Sequence, residues 1–142
     1  MSTRVLIICT GNSCRSQMAE GFMRRYAPGV EVYSAGTVPA ERTHPKAIQV
    51  MEEIGIDISR SVPKSVGQFL GLEFDYVITV CDDARESCPV FTGRVRHRLH
   101  IGFEDPARIQ GTEEHVLNEY RRIRDEIGRA FKAFAESMEN RT

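Results

Sequence analysis

The chain has 142 residues, with 19 Lys and Arg against 20 Asp and Glu and a formal net charge of −1. That length supports one domain with a real core, here residues 1–142, and is too short for two ordinary ones. The balanced charge, with no basic block, gives no footprint for nucleic acid or an anionic membrane, so binding of a small anion must be the work of a local loop.

Val5-Leu6-Ile7-Ile8 is a short, apolar, β-branched run that reads as a buried strand. Cys9-Thr10-Gly11-Asn12-Ser13-Cys14-Arg15-Ser16 follows, and Gln17-Met18-Ala19-Glu20 opens a helical pattern. The stretch is therefore a strand-to-helix turn. A helix is predicted from Arg15 to Tyr26, with Met18, Ala19, Phe22, Met23 and Tyr26 on one face and Pro28-Gly29 ending it. Val30 to Ser34 alternates as a second strand. Thr43 to Ile54 reads as a second helix, with Pro45 near its start, Ala47, Ile48, Met51 and Ile54 at helical spacing, and Gly55 as a stop. Asp57 through Lys64 is a connecting loop, and Ser65 to Leu70 forms a short helix. Phe74 to Val80 reads as a third strand with Cys81 directly after it. A fourth strand is placed around Arg98 to Ile101, with Arg94, Arg96 and Arg98 as the solvated face of its entry. The last helix runs from Thr112 to Met138, where Val116, Leu117, Tyr120, Ile123, Ile127, Phe131 and Phe134 trace an apolar stripe among charges.

Strands alternating with helices imply an α/β fold: a four-stranded parallel sheet flanked by helices, because parallel strands need crossover connections. In such a sheet the loops after the first, third and fourth strands share the carboxyl edge, where ligands bind. Cys9, Cys81 and Asp105 are thereby expected to converge. No segment approaches the length of a membrane span, and residues 5–8 are too short for a signal peptide, so a soluble cytoplasmic protein is expected. Four cysteines are too few to staple a secreted scaffold of this size; in a reducing compartment they are expected to be free thiols at rest.

The spacing from Cys9 to Arg15 suits a nucleophilic thiolate cradled by the amides of Thr10 to Ser16, with a guanidinium whose planar fork matches two oxygens of a tetrahedral oxyanion. Oriented N–H donors and Arg15 are expected to lower the Cys9 pKa from about 8.5 into the range of roughly 3.5–7.5, with the Ser16 hydroxyl donating to the sulfur. Gly11 and Asn12 tolerate the left-handed conformations of a curled loop. Asp105, before Pro106, is a candidate general acid for an oxygen leaving a tetrahedral centre. Cys14 reads as packing, and His44, His97, His100 and His115 are given no role. For Cys81 and Cys88 three readings stand. Zinc is disfavoured by the wide spacing and the lack of a histidine nearby in the chain; two inert cysteines and a redox pair remain. A redox pair makes a geometric demand. A helix over this segment separates the two Cα atoms by roughly 10 Å, whereas a disulfide needs about 4.4–6.8 Å. The segment must unwind, which Asp82, Asp83, Ser87 and Pro89 permit.

Cys9 to Gln17, Tyr33-Ser34-Ala35-Gly36, Cys81 with Cys88-Pro89, and Asp105-Pro106 together resemble the thioredoxin-coupled arsenate reductases, which share the low-molecular-weight protein tyrosine phosphatase fold. The resemblance runs from about residue 4 to 138. It implies arsenic detoxification without a cofactor or catalytic metal. Cys9 attacks arsenate held by Arg15 and the loop, Asp105 protonates the departing oxygen, Cys81 attacks Cys9 and expels arsenite, and Cys88 attacks Cys81 to leave a Cys81–Cys88 disulfide for thioredoxin. Phosphate or sulfate is expected to compete. Some members of that family hold potassium with residues matching Asn12, Glu20 and Ser34 and a further carboxylate. Lys64 stands at that last place, which implies that its ammonium replaces the cation and that activity is largely independent of potassium. Two other readings remain: a tyrosine phosphatase, which has no use for Cys81 and Cys88 and usually carries an aromatic where Ala107 stands, and a non-catalytic oxyanion or redox sensor.

Overall fold

The computed structural model describes residues 2–82 and 84–139; Asp83, read above as a modest helix former, lies outside them. Strands β1 (Arg4–Cys9), β2 (Glu31–Gly36), β3 (Glu73–Thr79) and β4 (Arg94–His100) form one parallel sheet in the order β2-β1-β3-β4. Helices α1 (Arg15–Tyr26), α2 (Pro45–Glu52) and α3 (Glu113–Glu139) complete the chain. The chain leaves β1 towards β2 on one side and later returns to β3 on the other. That change of direction opens a crevice at the carboxyl ends of β1 and β3.

β1 is central, and its residues Val5 to Ile8 have no exposed surface, as a parallel strand covered on both faces requires. Val5 and Ile7 pack with Met18 and Phe22 of α1 and Ile123, Ile127 and Phe131 of α3. Leu6 and Ile8 face the other way, into Phe69, Phe74, Val77 and Phe91. Each such side chain contributes about 1.5–3 kcal/mol on burial, so the strand that presents Cys9 is among the most firmly anchored parts of the molecule. Phe91, edge-on to Phe74 at 5.7 Å, pins the chain just beyond Cys88, and its carbonyl accepts from Arg98 Nη1 at 2.5 Å.

α1 starts and stops where its sequence pattern places it, and the other elements shift by a few residues. β4 begins at Arg94, four residues before the apolar pattern suggests. It is an edge strand whose side chains are mostly exposed, so pairing from Glu73↔Arg94 onward, not alternation, sets its start. α2 is shorter than Thr43 to Ile54 because His44 caps it, Nδ1 accepting from the Lys46 amide at 3.1 Å ahead of Pro45 in the first turn. The short helix is a single 3-10 turn, Val66–Phe69, with Ser65 Oγ accepting from Gly67 N at 3.2 Å. Among the described residues no helix is long and apolar enough to cross a membrane.

Candidate active site

Between Cys9 and Arg15 the chain curls around a cavity of about 540 Å³. The loop's carbonyls are drawn outward by the segment after β2: Thr10 O accepts from Val38 N at 3.0 Å, Gly11 O from Ala40 N at 2.9 Å and Ser13 O from His44 N at 2.8 Å. Its amides are left as donors at the N-terminus of α1, where an anion is favoured. Gly36 makes the close approach possible, since a Cβ there would lie 2.4 Å from Thr10 O. Asn12 takes the left-handed conformation, φ 51°, and Gly11 does not. The buried Asn12 side chain staples the loop, Nδ2 donating to Ser16 Oγ at 2.8 Å and Oδ1 accepting from Lys64 N at 2.9 Å. Ser16 Oγ is the acceptor there, and among the described residues no hydrogen bond from its hydroxyl to the Cys9 sulfur is formed.

Cys9 is 4 % exposed. Burial pushes its thiol pKa up, and the charge of Arg15 and the Thr10 amide pull it down only in part, because Glu86 and Asp105 push it up again. The lowered pKa expected from the sequence is therefore not that of this state. Burial is the main cause, and the carboxylates gathered on Arg15 add to it. Arg15 Nη1 donates to Glu86 Oε2 at 2.5 Å and to Phe103 O at 3.0 Å, and its Nη2 donates to Glu86 Oε1 at 2.9 Å. Asp105 Oδ2 adds a contact at 3.7 Å. Burial works against the Arg15 charge, yet these carboxylates hold it firmly protonated, and the Arg15 bond in turn holds the Glu86 carboxyl below its usual range. Glu86 sits on the guanidinium as a tetrahedral oxyanion would. Arg85 and Arg108 also line the cavity, with Asp105 and Ala107. Asp105 Oδ1 caps the turn Pro106–Arg108 by accepting from Ala107 N at 3.0 Å, which leaves Oδ2 on the cavity side with Arg15.

Cys81 and Cys88 form a disulfide with their Cα atoms 5.8 Å apart, while Cys9 and Cys14 are free. The described residues between them, Asp82 and 84–87, are non-helical, as the geometric demand required. The expectation of four free thiols fails for this pair, since the unwound segment brings the two sulfurs within bonding reach. Cys14 is 6 % exposed and packs in the core, its thiol pKa raised mainly by burial.

A model of the low molecular weight phosphotyrosine protein phosphatase family matches residues 4–142. The chain belongs to the low molecular weight phosphotyrosine protein phosphatase family. Within it, the chain is 46% identical over 134 residues to a protein of Halalkalibacterium halodurans named arsenate reductase, covering 94% of this chain and 95% of that one. A structure titled an arsenate reductase in oxidized state superposes with a TM-score of 0.76 at 29% identity, covering 95% of this chain and 98% of that one. A second, titled an arsenate reductase in the phosphate binding state, gives 0.72 at 28% identity over 95% and 98%.

Three features of this phosphatase-family site depart from the sequence reading. The Lys64 ammonium donates to Val62 O at 3.0 Å and not to Glu20 Oε1 or Ser34 Oγ, the oxygens a cation would bind. Glu20 Oε1, Ser34 Oγ and Gln17 Oε1 are instead buried without a hydrogen-bond partner, and hard oxygens of this kind suit a hard cation. The expected independence of potassium loses its support. Histidines were also given no role, yet His44 holds the Ser13 carbonyl and meets the Tyr120 hydroxyl at 3.3 Å, and His100 lies with both sulfurs of the disulfide. The spacing of neither residue signals this. Glu86 was likewise passed over, although its place between Cys81 and Cys88 was the available clue.

Proposed function

We propose that this protein reduces arsenate to arsenite by passing an electron pair through three cysteines, with Cys9 as nucleophile and Cys81 and then Cys88 resolving. The observation that carries this reading is the Cys81–Cys88 disulfide, whose intervening residues Glu86 and Ser87 form part of the wall of the Cys9 cavity. A phosphoester hydrolase has no use for a closed dithiol there, whereas a reductase ends its turnover with one. The names of the relatives support the same reading.

Arsenate takes the place that Glu86 holds on Arg15, with the amides of Thr10 to Ser16 as further donors; Thr10, Gly11, Asn12, Ser13 and Cys14 supply the curl. Cys9 Sγ, as thiolate, attacks arsenic, a sulfur–arsenic bond forms, and an oxygen leaves with a proton from Asp105. Cys81 loses its proton and attacks Cys9 Sγ. The Cys9–Cys81 bond forms, the sulfur–arsenic bond breaks, and its electron pair stays on arsenic, which departs as arsenite. Cys88 then attacks Cys81, Cys9 is released as thiolate beside Arg15, and the Cys81–Cys88 disulfide results. A dithiol protein of the thioredoxin kind restores both thiols. Potassium, where bound, would be held by Asn12, Glu20 and Ser34 and would brace the loop through Asn12. Phosphate and sulfate share the tetrahedral oxyanion shape and compete for the cradle.

The test is arsenate-dependent NADPH oxidation with thioredoxin and thioredoxin reductase, comparing wild type with Cys81→Ser. Turnover is expected to vanish in the variant while aryl phosphate hydrolysis survives. Absence of arsenate turnover in the wild type, with aryl phosphate hydrolysis intact in both, would return the protein to hydrolysis.

A further inference from the structure

Reducing the disulfide poses a problem of charge. Cys81 has no exposed surface, whereas Cys88 is partly exposed. An incoming thiolate therefore reaches Cys88 Sγ, and the sulfur that must leave as an anion is the buried one, where a thiolate is strongly disfavoured. A proton has to arrive as the bond breaks.

A ring nitrogen of His100 and the sulfurs of Cys81 and Cys88 all lie within 4.8 Å of one another. His100 closes β4, beside Thr79 at the end of β3, and Thr79 Oγ1 meets Nδ1 at 2.8 Å. Nε2 and the Cys81 carbonyl oxygen both border Gly102: a Cβ placed there would be 2.7 Å from Nε2 and 2.8 Å from Cys81 O. Gly102 is thus what lets the ring and the Cys81 backbone approach each other. The imidazole is also exposed, so it exchanges protons with solvent.

We propose that His100 is the proton donor and acceptor of the Cys81–Cys88 pair. The thiolate of an incoming dithiol attacks Cys88 Sγ and forms a mixed disulfide. The Cys81–Cys88 bond breaks, its electron pair goes to Cys81 Sγ, and His100 imidazolium delivers its Nε2 proton there while Nδ1 stays on Thr79. The second thiol of the reductant, its proton lost to water, attacks the mixed disulfide and frees Cys88. His100 recovers its proton from solvent. During turnover the reverse transfer removes the Cys88 proton as Cys88 attacks Cys81. Imidazole carries one nitrogen that can donate a proton and one that can accept it, which suits both directions of the exchange.

The inference rests on the relay proposed above, but its test needs no arsenate. The oxidised full-length chain is mixed with dithiothreitol at pH 7, and new thiols are acid-quenched, alkylated and counted by mass. His100→Ala and His100→Gln are expected to slow reduction by roughly 100-fold or more, with unchanged aryl phosphate hydrolysis at Cys9, and added imidazole is expected to restore the Ala variant in part. Gln retains an amide for Thr79 and cannot relay a proton, so it decides the matter if the Ala variant does not fold. A Gln variant keeping more than a fifth of the wild-type rate overturns the proposal. So does a slow Ala variant that ignores imidazole, or a matching loss of aryl phosphate hydrolysis. Failure of arsenate turnover alone would sink the reductase reading and leave this result standing.

Discussion

Glu86→Gln is expected to open the oxidised protein to oxyanions. In the oxidised chain the Glu86 carboxylate takes two of the guanidinium donors of Arg15, at 2.5 and 2.9 Å, and accepts from the Asp82 amide at 2.9 Å. The Glu86 side chain is only 10% exposed, so the pair is shielded from water and salt. A phosphate ion entering the cradle must displace this internal anion. One charged hydrogen bond is worth about 1.5–3 kcal/mol net; counting one for the pair, because a displaced Glu86 regains water, gives a shift of about 10- to 100-fold in affinity at 1.4 kcal/mol per tenfold. Gln keeps the shape and an oxygen for the Asp82 amide but removes the charge. Phosphate binding to the oxidised protein, followed by isothermal titration calorimetry, is therefore expected to tighten by that factor. A Kd within threefold of wild type would show that Glu86 does not compete for the site, and the reasoning would fail.

The pH dependence of Cys9 follows from the same contacts. Its pKa is raised in the oxidised chain, so the reactive thiolate is a minor form at pH 7 and grows about tenfold per pH unit below the pKa. Alkylation of Cys9 by iodoacetamide, read by peptide mass, is expected to climb steadily beyond pH 8 and to shift to lower pH in Glu86→Gln; a plateau below pH 7.5 in the wild type would contradict this. Gly36→Ala is expected to cost about 1–3 kcal/mol, the range for overpacking, because the new methyl meets Thr10 O at 2.4 Å. It should also weaken phosphate binding at Cys9, and urea denaturation with an unchanged midpoint would refute the crowding argument.

The strand, loop and helix around Cys9 were legible because each announces itself within a few residues: β-branched residues, then small and polar ones, then a 3.6-residue stripe. The Asp105 position followed from topology, since parallel strands deliver their loops to one edge. The Cys9 pKa was misread for a physical reason. Sequence shows an arginine six positions away, but burial and a carboxylate 71 residues from Arg15 are properties of the folded chain. The start of β4 was missed because an edge strand has little apolar pattern to show. His100 reads in the chain as one more polar residue of an exposed strand, and only its register with Thr79 places it at the disulfide.

Gly36 and the segment behind it hold the cradle by its carbonyls, while the carboxylate on Arg15 and both relay cysteines belong to the short stretch between β3 and Phe91. The cradle around Cys9 and the disulfide pair therefore lie on separate pieces of chain. Substitutions in the surface segment can change the disulfide pair and the carboxylate on Arg15 while the buried strand and carbonyl clamps that frame Cys9 stay as they are.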